Sequence, residues 1–254
     1  MLDYHVHAVA HGEYRYTMEW ISQFLHRARQ KGLKEIGFSE HDEFSALIDY
    51  ELIEKMRRES SIQIRMGLEI DYIPGRESII KEITAGYNYD YLIGSVHFIG
   101  TWGFDHPDFK QDFDYRDIDE IYRDYFSLVK DAVETGLFDV VGHIDLIKVW
   151  GHRPKENNIL YYVEPVLKSV KEAGMVIEIN SSGLRKTVAE IYPSQDILQM
   201  MHEMDIPITL GSDAHHPTQL GEGLINAVKM ARDTGFTQVV RFEGREKKYI
   251  PLCL

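Results

Sequence analysis

His5 and His7 stand two apart in "LDYHVHAVAHG", and Asp213 and His215 repeat that spacing in "TLGSDAHHP". Along an extended strand, residues i and i+2 project to the same side. Each pair therefore aims two ligand-type side chains at one point. Similar residues recur through the chain. "GFSEHDE" carries Glu40, His41 and Asp42; "GLEIDY" carries Glu69 and Asp71; "GSVHFIG" carries His97. "GHIDLI" carries His143 and Asp145, and "EINSSGLRK" carries Glu178 and Asn180. The chain has one cysteine, Cys253, so neither a disulfide framework nor a thiolate site can be built. Imidazole and carboxylate without thiolate suit zinc, iron or manganese rather than calcium or magnesium.

The elements that must position these residues follow from apolar periodicity. Short β-branched runs occur at 2–7, 34–41, 62–72, 90–98, 139–147, 175–182 and 206–215, with an eighth at 237–242. Between them lie segments of helical period. In 18–31, Trp20, Ile21, Phe24, Leu25 and Ala28 share one face, and Lys31-Gly32 closes the helix. The segments 117–135, 160–173 and 218–233 repeat the pattern. Strands alternating with helices read as βα units on a parallel sheet, and seven or eight such units predict an α/β barrel over residues 1–254 as a single domain. A doubly wound open sheet lacks the glycine-rich phosphate loop after its first strand. In a (β/α) barrel the chemistry sits at the C-terminal strand ends, where the ligand-type residues lie here.

Taken singly, several of these residues have plainer readings. A lone strand histidine such as His143 is ordinarily a hydrogen-bonded core residue. His26 and His202 read as surface residues, and His106 and His152 as loop residues. Asp3, Asp42 and Asp71 face solvent or orient ligating histidines from behind. The joint pattern at seven strand ends is what carries weight.

Composition narrows the class. The chain has 28 basic and 41 acidic residues, a net charge of −13. So acidic a body repels polyanions, and no basic groove interleaved with aromatics is present, so nucleic acid is not the expected partner. "MLDYHVHAVA" has neither a basic n-region nor an apolar h-region, and no apolar run of about 18 residues occurs. A cytoplasmic protein without membrane contact is expected. Oligomeric state is not legible.

The motifs "DYHVHAVAHGE", "GFSEHDE", "GLEIDY", "GSVHFIG", "GHIDLI", "EINSSGLRK" and "TLGSDAHHP", in this order, resemble the PHP (polymerase and histidinol phosphatase) family of metal-dependent phosphoesterases. "GFSEH", "HFIGTWGFDHP", "EINSSGLRK" followed by "YPS", and the ending "YIPL" resemble its monofunctional histidinol-phosphate phosphatase branch. The resemblance spans essentially the whole chain. It implies a distorted (β/α)7 TIM-like barrel with three divalent metal ions, zinc, iron or manganese, at the strand ends. It implies that His5, His7, Glu69 and Asp213 hold the first ion. Glu69 bridges to a second, completed by His97 and His143. His41 and His215, with His11, hold the third.

That resemblance implies hydrolysis of L-histidinol phosphate in histidine biosynthesis, with a metal-bridging hydroxide as nucleophile and Asp213, His215 and Glu69 as the catalytic set. Three divalent ions against two carboxylates and a hydroxide leave a positive surplus that favours a phosphate dianion. Arg185, just past the sixth strand, is the best phosphate clamp, since a guanidinium matches phosphate bidentately; Arg15 and Arg153 are second choices. Trp102 and Asp105 follow the fourth strand, where they would stack on and ion-pair with an imidazole-bearing amino alcohol. Three rivals stand beside this small-molecule phosphate ester: a nucleotide or oligonucleotide phosphoesterase, a C–N hydrolase, and a non-catalytic metal-binding module. The C–N hydrolase would need a metal-bridging lysine that no strand end supplies.

Overall fold

The apolar runs pair side by side because each is buried on both faces, which a parallel sheet wrapped in helices requires. The computed structural model describes residues 1–253. Seven parallel strands follow chain order: β1 (Leu2–Asp3), β2 (Glu35–His41), β3 (Gln63–Asp71), β4 (Tyr91–Ser95), β5 (Val140–Val141), β6 (Val176–Asn180) and β7 (Ile208–Gly211). The sheet curls until its ends meet. Tyr4 N–H donates to the Leu210 carbonyl at 2.9 Å, and His7 N–H to that of Ala214 at 2.8 Å. The result is a nearly closed, distorted barrel, as expected.

The helices α1 (Met18–Gln30), α2 (Tyr50–Glu59), α3 (Glu77–Thr84), α4 (Ile118–Glu134), α5 (Ile159–Ala173), α6 (Gln195–Glu203) and α7 (Leu224–Thr234) lie between or after the strands. Their starts are set locally. Thr17 accepts from the Trp20 N–H at the head of α1, and Asp117 from Asp119 and Glu120 at the head of α4. Among the described residues no helix is long and apolar enough to cross a membrane.

Three expectations are corrected. The eighth run, 237–242, does not join the barrel. It forms β8 (Gln238–Glu243), antiparallel to β9 (Glu246–Pro251). Gly244 and Arg245 both have positive φ, the two-residue turn that folds a strand back on itself. The fifth run pairs only at Val140–Val141, because the chain turns into a 3-10 helix at Leu146–Lys148. The last predicted helix begins at Leu224 rather than 218, because Gly221 and Gly223 adopt left-handed backbone.

At the N-terminal end the barrel is plugged by Tyr91, stacked on Tyr4 at 4.8 Å with its hydroxyl donating to the Tyr4 carbonyl. Gly37 and Gly67 make room for it. A Cβ on Gly37 would sit 2.1 Å from the Tyr91 hydroxyl, and one on Gly67 2.4 Å from its ring. This packed floor leaves the opposite, C-terminal end as the open one.

Candidate active site

Each strand delivers its polar residue as the ladder ends. β2 ends at His41 and β3 carries Glu69 and Asp71. His97 follows β4, His143 follows β5, and Asp213 and His215 follow β7. Asp213 takes left-handed backbone, φ 53°, a conformation that aspartate tolerates better than most residues. Its Oδ2 accepts from the Ser182 hydroxyl at 3.0 Å. Its Oδ1 lies 3.5 Å from both His7 Nε2 and His215 Nδ1.

Glu69 is the hub. Its Oε2 lies 3.2 Å from His5 Nε2, 3.4 Å from His7 Nε2 and 3.0 Å from His41 Nδ1. Its Oε1 lies 3.0 Å from His143 Nε2 and 3.7 Å from His97 Nε2, and accepts from the Ser95 hydroxyl. Four overlapping groups of metal-ligand type result: His5, His7 and Glu69; Glu69, His97 and His143; His5, His143 and Asp213; His7, His41 and His215. Within each, the ligand atoms lie within 4.8 Å of one another.

The donor set fits divalent metal. Nε2 of His5, His7, His41 and His215 is buried without a hydrogen-bond partner among the described residues. Leaving such an atom unsatisfied costs about 1–3 kcal/mol. His5 Nε2 comes within 3.2 Å of Glu69 and still makes no hydrogen bond to it. His143 Nε2 bonds Glu69 Oε1 at 3.0 Å, but these four nitrogens converge on shared space instead, as ligands of one ion do.

Residues 3–182 match the PHP domain family. The chain belongs to that family. A probable histidinol-phosphatase of Deinococcus radiodurans is 41% identical over 185 residues, covering 73% of this chain and 70% of that protein. The histidinol-phosphatase of Bacillus subtilis is 30% identical over 259 residues, covering 86% of this chain and 95% of that one. The fold is also that of the histidinol phosphate phosphatase of Lactococcus lactis, whose crystal structure holds zinc, L-histidinol and phosphate. The TM-score is 0.78 at 21% identity, over 97% of this chain and 98% of that one. The family match ends at 182, yet the PHP barrel here takes Asp213 and His215 from beyond it.

Charge in this PHP site is tightly coupled. Burial disfavours ionisation of Glu69 and Asp213, but the histidines around them, His5 foremost, hold both carboxyls well below their ordinary range. Burial likewise opposes protonation of His5 and His97. Glu178, Glu69 and Asp213 raise His5 well above the usual imidazole value, and Asp71 with Glu69 does the same for His97. Burial and the neighbouring His41 and His215 push His7 down. Burial, with His41 and His11 beside it, brings His215 to about 4 despite the attraction of Asp213.

Above these ligand candidates opens a cavity of about 350 Å³, lined among others by His11, Asp105, Leu146, Ser182, Arg185 and Lys186. His11 is exposed at its rim, its ring 4.7 Å from that of His215 and 5.6 Å from that of His41. Arg185 Nη2 donates to the Ser212 and Asp213 carbonyls, and Nη1 is buried without a hydrogen bond, 3.9 Å from Glu222 Oε2. Asp105 lines the same cavity.

Three expected contacts are corrected. Trp102 is not among the cavity-lining residues: it is buried against Phe104 and Phe113, with Arg116 over its ring at 4.5 Å. Arg153 is turned to Glu190 at 2.7 Å, and Arg15 is exposed; neither lines the cavity. His152, read as a loop residue, stacks on Phe113. Residues not singled out by sequence also line the cavity, namely Ser182, Lys186 and Gln219. Lys186 adjoins Arg185 in "GLRK", the one signal that pointed there. Behind the ligands, Asp71 bonds His97 Nδ1, and the Asp71 N–H in turn donates to Asp42.

Proposed function

We propose that this PHP domain, spanning residues 1–254, hydrolyses L-histidinol phosphate to L-histidinol and phosphate in the cytoplasm, as a step of histidine biosynthesis. One observation carries the reading. Six histidines and two carboxylates, with Glu69 at the hub, converge under a cavity that Arg185 also lines. The named relatives of both Deinococcus and Bacillus support the substrate.

In this reading Glu69, His5, His7, Asp213, His97, His143, His41 and His215 hold a trinuclear centre, with His11 at its rim. When bound, three divalent ions, zinc, iron or manganese, supply a water of lowered pKa and the positive charge that meets the phosphoryl oxygens. The chain supplies the rest. Arg185, whose guanidinium is held by two backbone acceptors, binds the phosphate from the cavity wall. Asp105, in the cavity wall, pairs with the substrate ammonium. Asp213, fixed by Ser182 at Oδ2, accepts a proton from the attacking water at Oδ1. The cavity accommodates a small phosphate ester, and the net charge of −13 disfavours a nucleic acid strand.

The test is phosphate release from L-histidinol phosphate beside p-nitrophenyl phosphate, AMP and a short single-stranded DNA. The protein is assayed as purified, chelated, and reloaded with manganese, iron or zinc. Expected is a lead for histidinol phosphate of several orders in kcat/KM, abolished by chelation. Comparable rates on AMP or DNA would overturn the substrate, and turnover surviving chelation would overturn the metal centre.

A further inference from the structure

We propose that Glu178 is a positioning residue of the metal centre: it holds the proton of His5 on Nδ1, so that Nε2 faces the ligand cluster as a bare lone pair. The inference rests on the metal-centre reading above.

Glu178 is fully buried and reaches none of the metal-ligand groups itself. Both its oxygens face His5 Nδ1, Oε2 at 2.8 Å and Oε1 at 3.0 Å. Oε1 also accepts the His143 peptide N–H at 2.7 Å and the Asn180 side-chain amide at 2.9 Å. One carboxylate thus ties together two histidines 138 positions apart in the chain. Among the described residues, His5 is its one ion-pair partner within 4.0 Å. A buried carboxylate with no lysine or arginine is a poor way to stabilise a fold, because desolvation costs several kcal/mol. An apolar side chain would serve packing better. What the carboxylate does supply is an acceptor at every approach.

The surrounding backbone is shaped to admit it. A Cβ on Gly211 would sit 2.6 Å from Glu178 Oε2 and 2.6 Å from His5 Cβ. Glycine there lets the dyad close.

The chemistry separates Glu178 from its isostere. A neutral imidazole carries one proton, and the bond at one nitrogen decides which nitrogen is free for metal. In Glu178→Gln the amide nitrogen takes one of two places. In place of Oε2 it donates to His5 Nδ1 and sends the proton to Nε2, blocking the metal. In place of Oε1 it meets the His143 N–H donor to donor. Both outcomes weaken metal binding without removing side-chain volume.

The experiment is a zinc competition titration of the loaded wild-type and Glu178→Gln proteins against a chromophoric chelator, with circular dichroism as the check on folding. Expected is a folded variant in which at least one zinc is held about 10–100-fold more weakly. Its turnover of p-nitrophenyl phosphate should recover in excess zinc. Wild-type zinc affinities in the folded variant would overturn the positioning role and leave the metal centre standing. A wild type that binds no zinc would overturn the centre itself, and the inference with it. Should the variant not fold, nitrogen-15 NMR of histidine-labelled, zinc-loaded wild type decides. A proton on His5 Nδ1 supports the role; a proton on Nε2 overturns it.

Discussion

The Arg185 guanidinium donates Nη2 to the backbone carbonyl of Asp213 at 3.0 Å, while Nη1 is buried 3.9 Å from Glu222 Oε2, with no hydrogen bond of its own. The contact to Asp213 fixes the guanidinium. A phosphate in the cavity meets a fork already ordered by the loop that carries a metal-ligand candidate. Arg185→Lys keeps a positive charge but loses the fork. A charge-assisted hydrogen bond contributes about 1.5–3 kcal/mol, so kcat/KM should fall by roughly 10–150-fold. Steady-state kinetics check this, and an unchanged kcat/KM would remove Arg185 from phosphate binding.

Asp105 sits in the cavity wall with no cationic partner of its own within 4.0 Å among the described residues. If it pairs with the substrate ammonium, Asp105→Asn raises KM for L-histidinol phosphate about tenfold and leaves p-nitrophenyl phosphate nearly unaffected. Equal effects on both esters would refute the role.

Glu69 faces five histidines with its two oxygens. In the proposed centre, Glu69→Gln would remove one of the two carboxylate charges that would hold the ions. Several kcal/mol of charge stabilisation corresponds to on the order of 10³-fold in kcat. Elemental analysis of the purified variant should find fewer metal ions per chain than in wild type. A full complement with full activity would displace Glu69 from the hub.

Metal loading should release protons. In the ion-free protein His5 and His97 are held protonated well above the ordinary imidazole range by the carboxylates around them, against the effect of burial. A metal ion must displace those protons, so apparent affinity falls as pH falls through the raised values. Zinc titration calorimetry in buffers of different ionisation enthalpy measures the release. Heats independent of buffer at neutral pH would contradict it.

Far from the site, Gly37→Ala tests the barrel floor. The added Cβ would stand 2.1 Å from the Tyr91 hydroxyl, which is itself bonded to the Tyr4 carbonyl. Overpacking of this kind costs about 1–3 kcal/mol. Denaturant unfolding should report that loss, and a variant as stable as wild type would show that the floor yields.

By itself, the sequence determined the barrel and the residue types at its mouth. Parallel strands buried on both faces write long apolar runs, and a polar residue ending each run has only the strand end to occupy. Local chemistry alone was less decisive where a turn competed with a strand. Residues 237–242 read as an eighth barrel strand until Gly244 and Arg245 turned them into a hairpin. Only the tertiary structure decided which ligands meet. His7 stacks between His41 at 4.2 Å and His215 at 4.3 Å, a grouping no spacing predicts. It also turned Trp102 and Arg153 to other partners and brought Glu178 to His5 across 173 positions. The physical reason is one of range. Periodicity is set between neighbours in the chain, whereas side-chain direction at a barrel mouth is set by packing between loops that are remote in sequence.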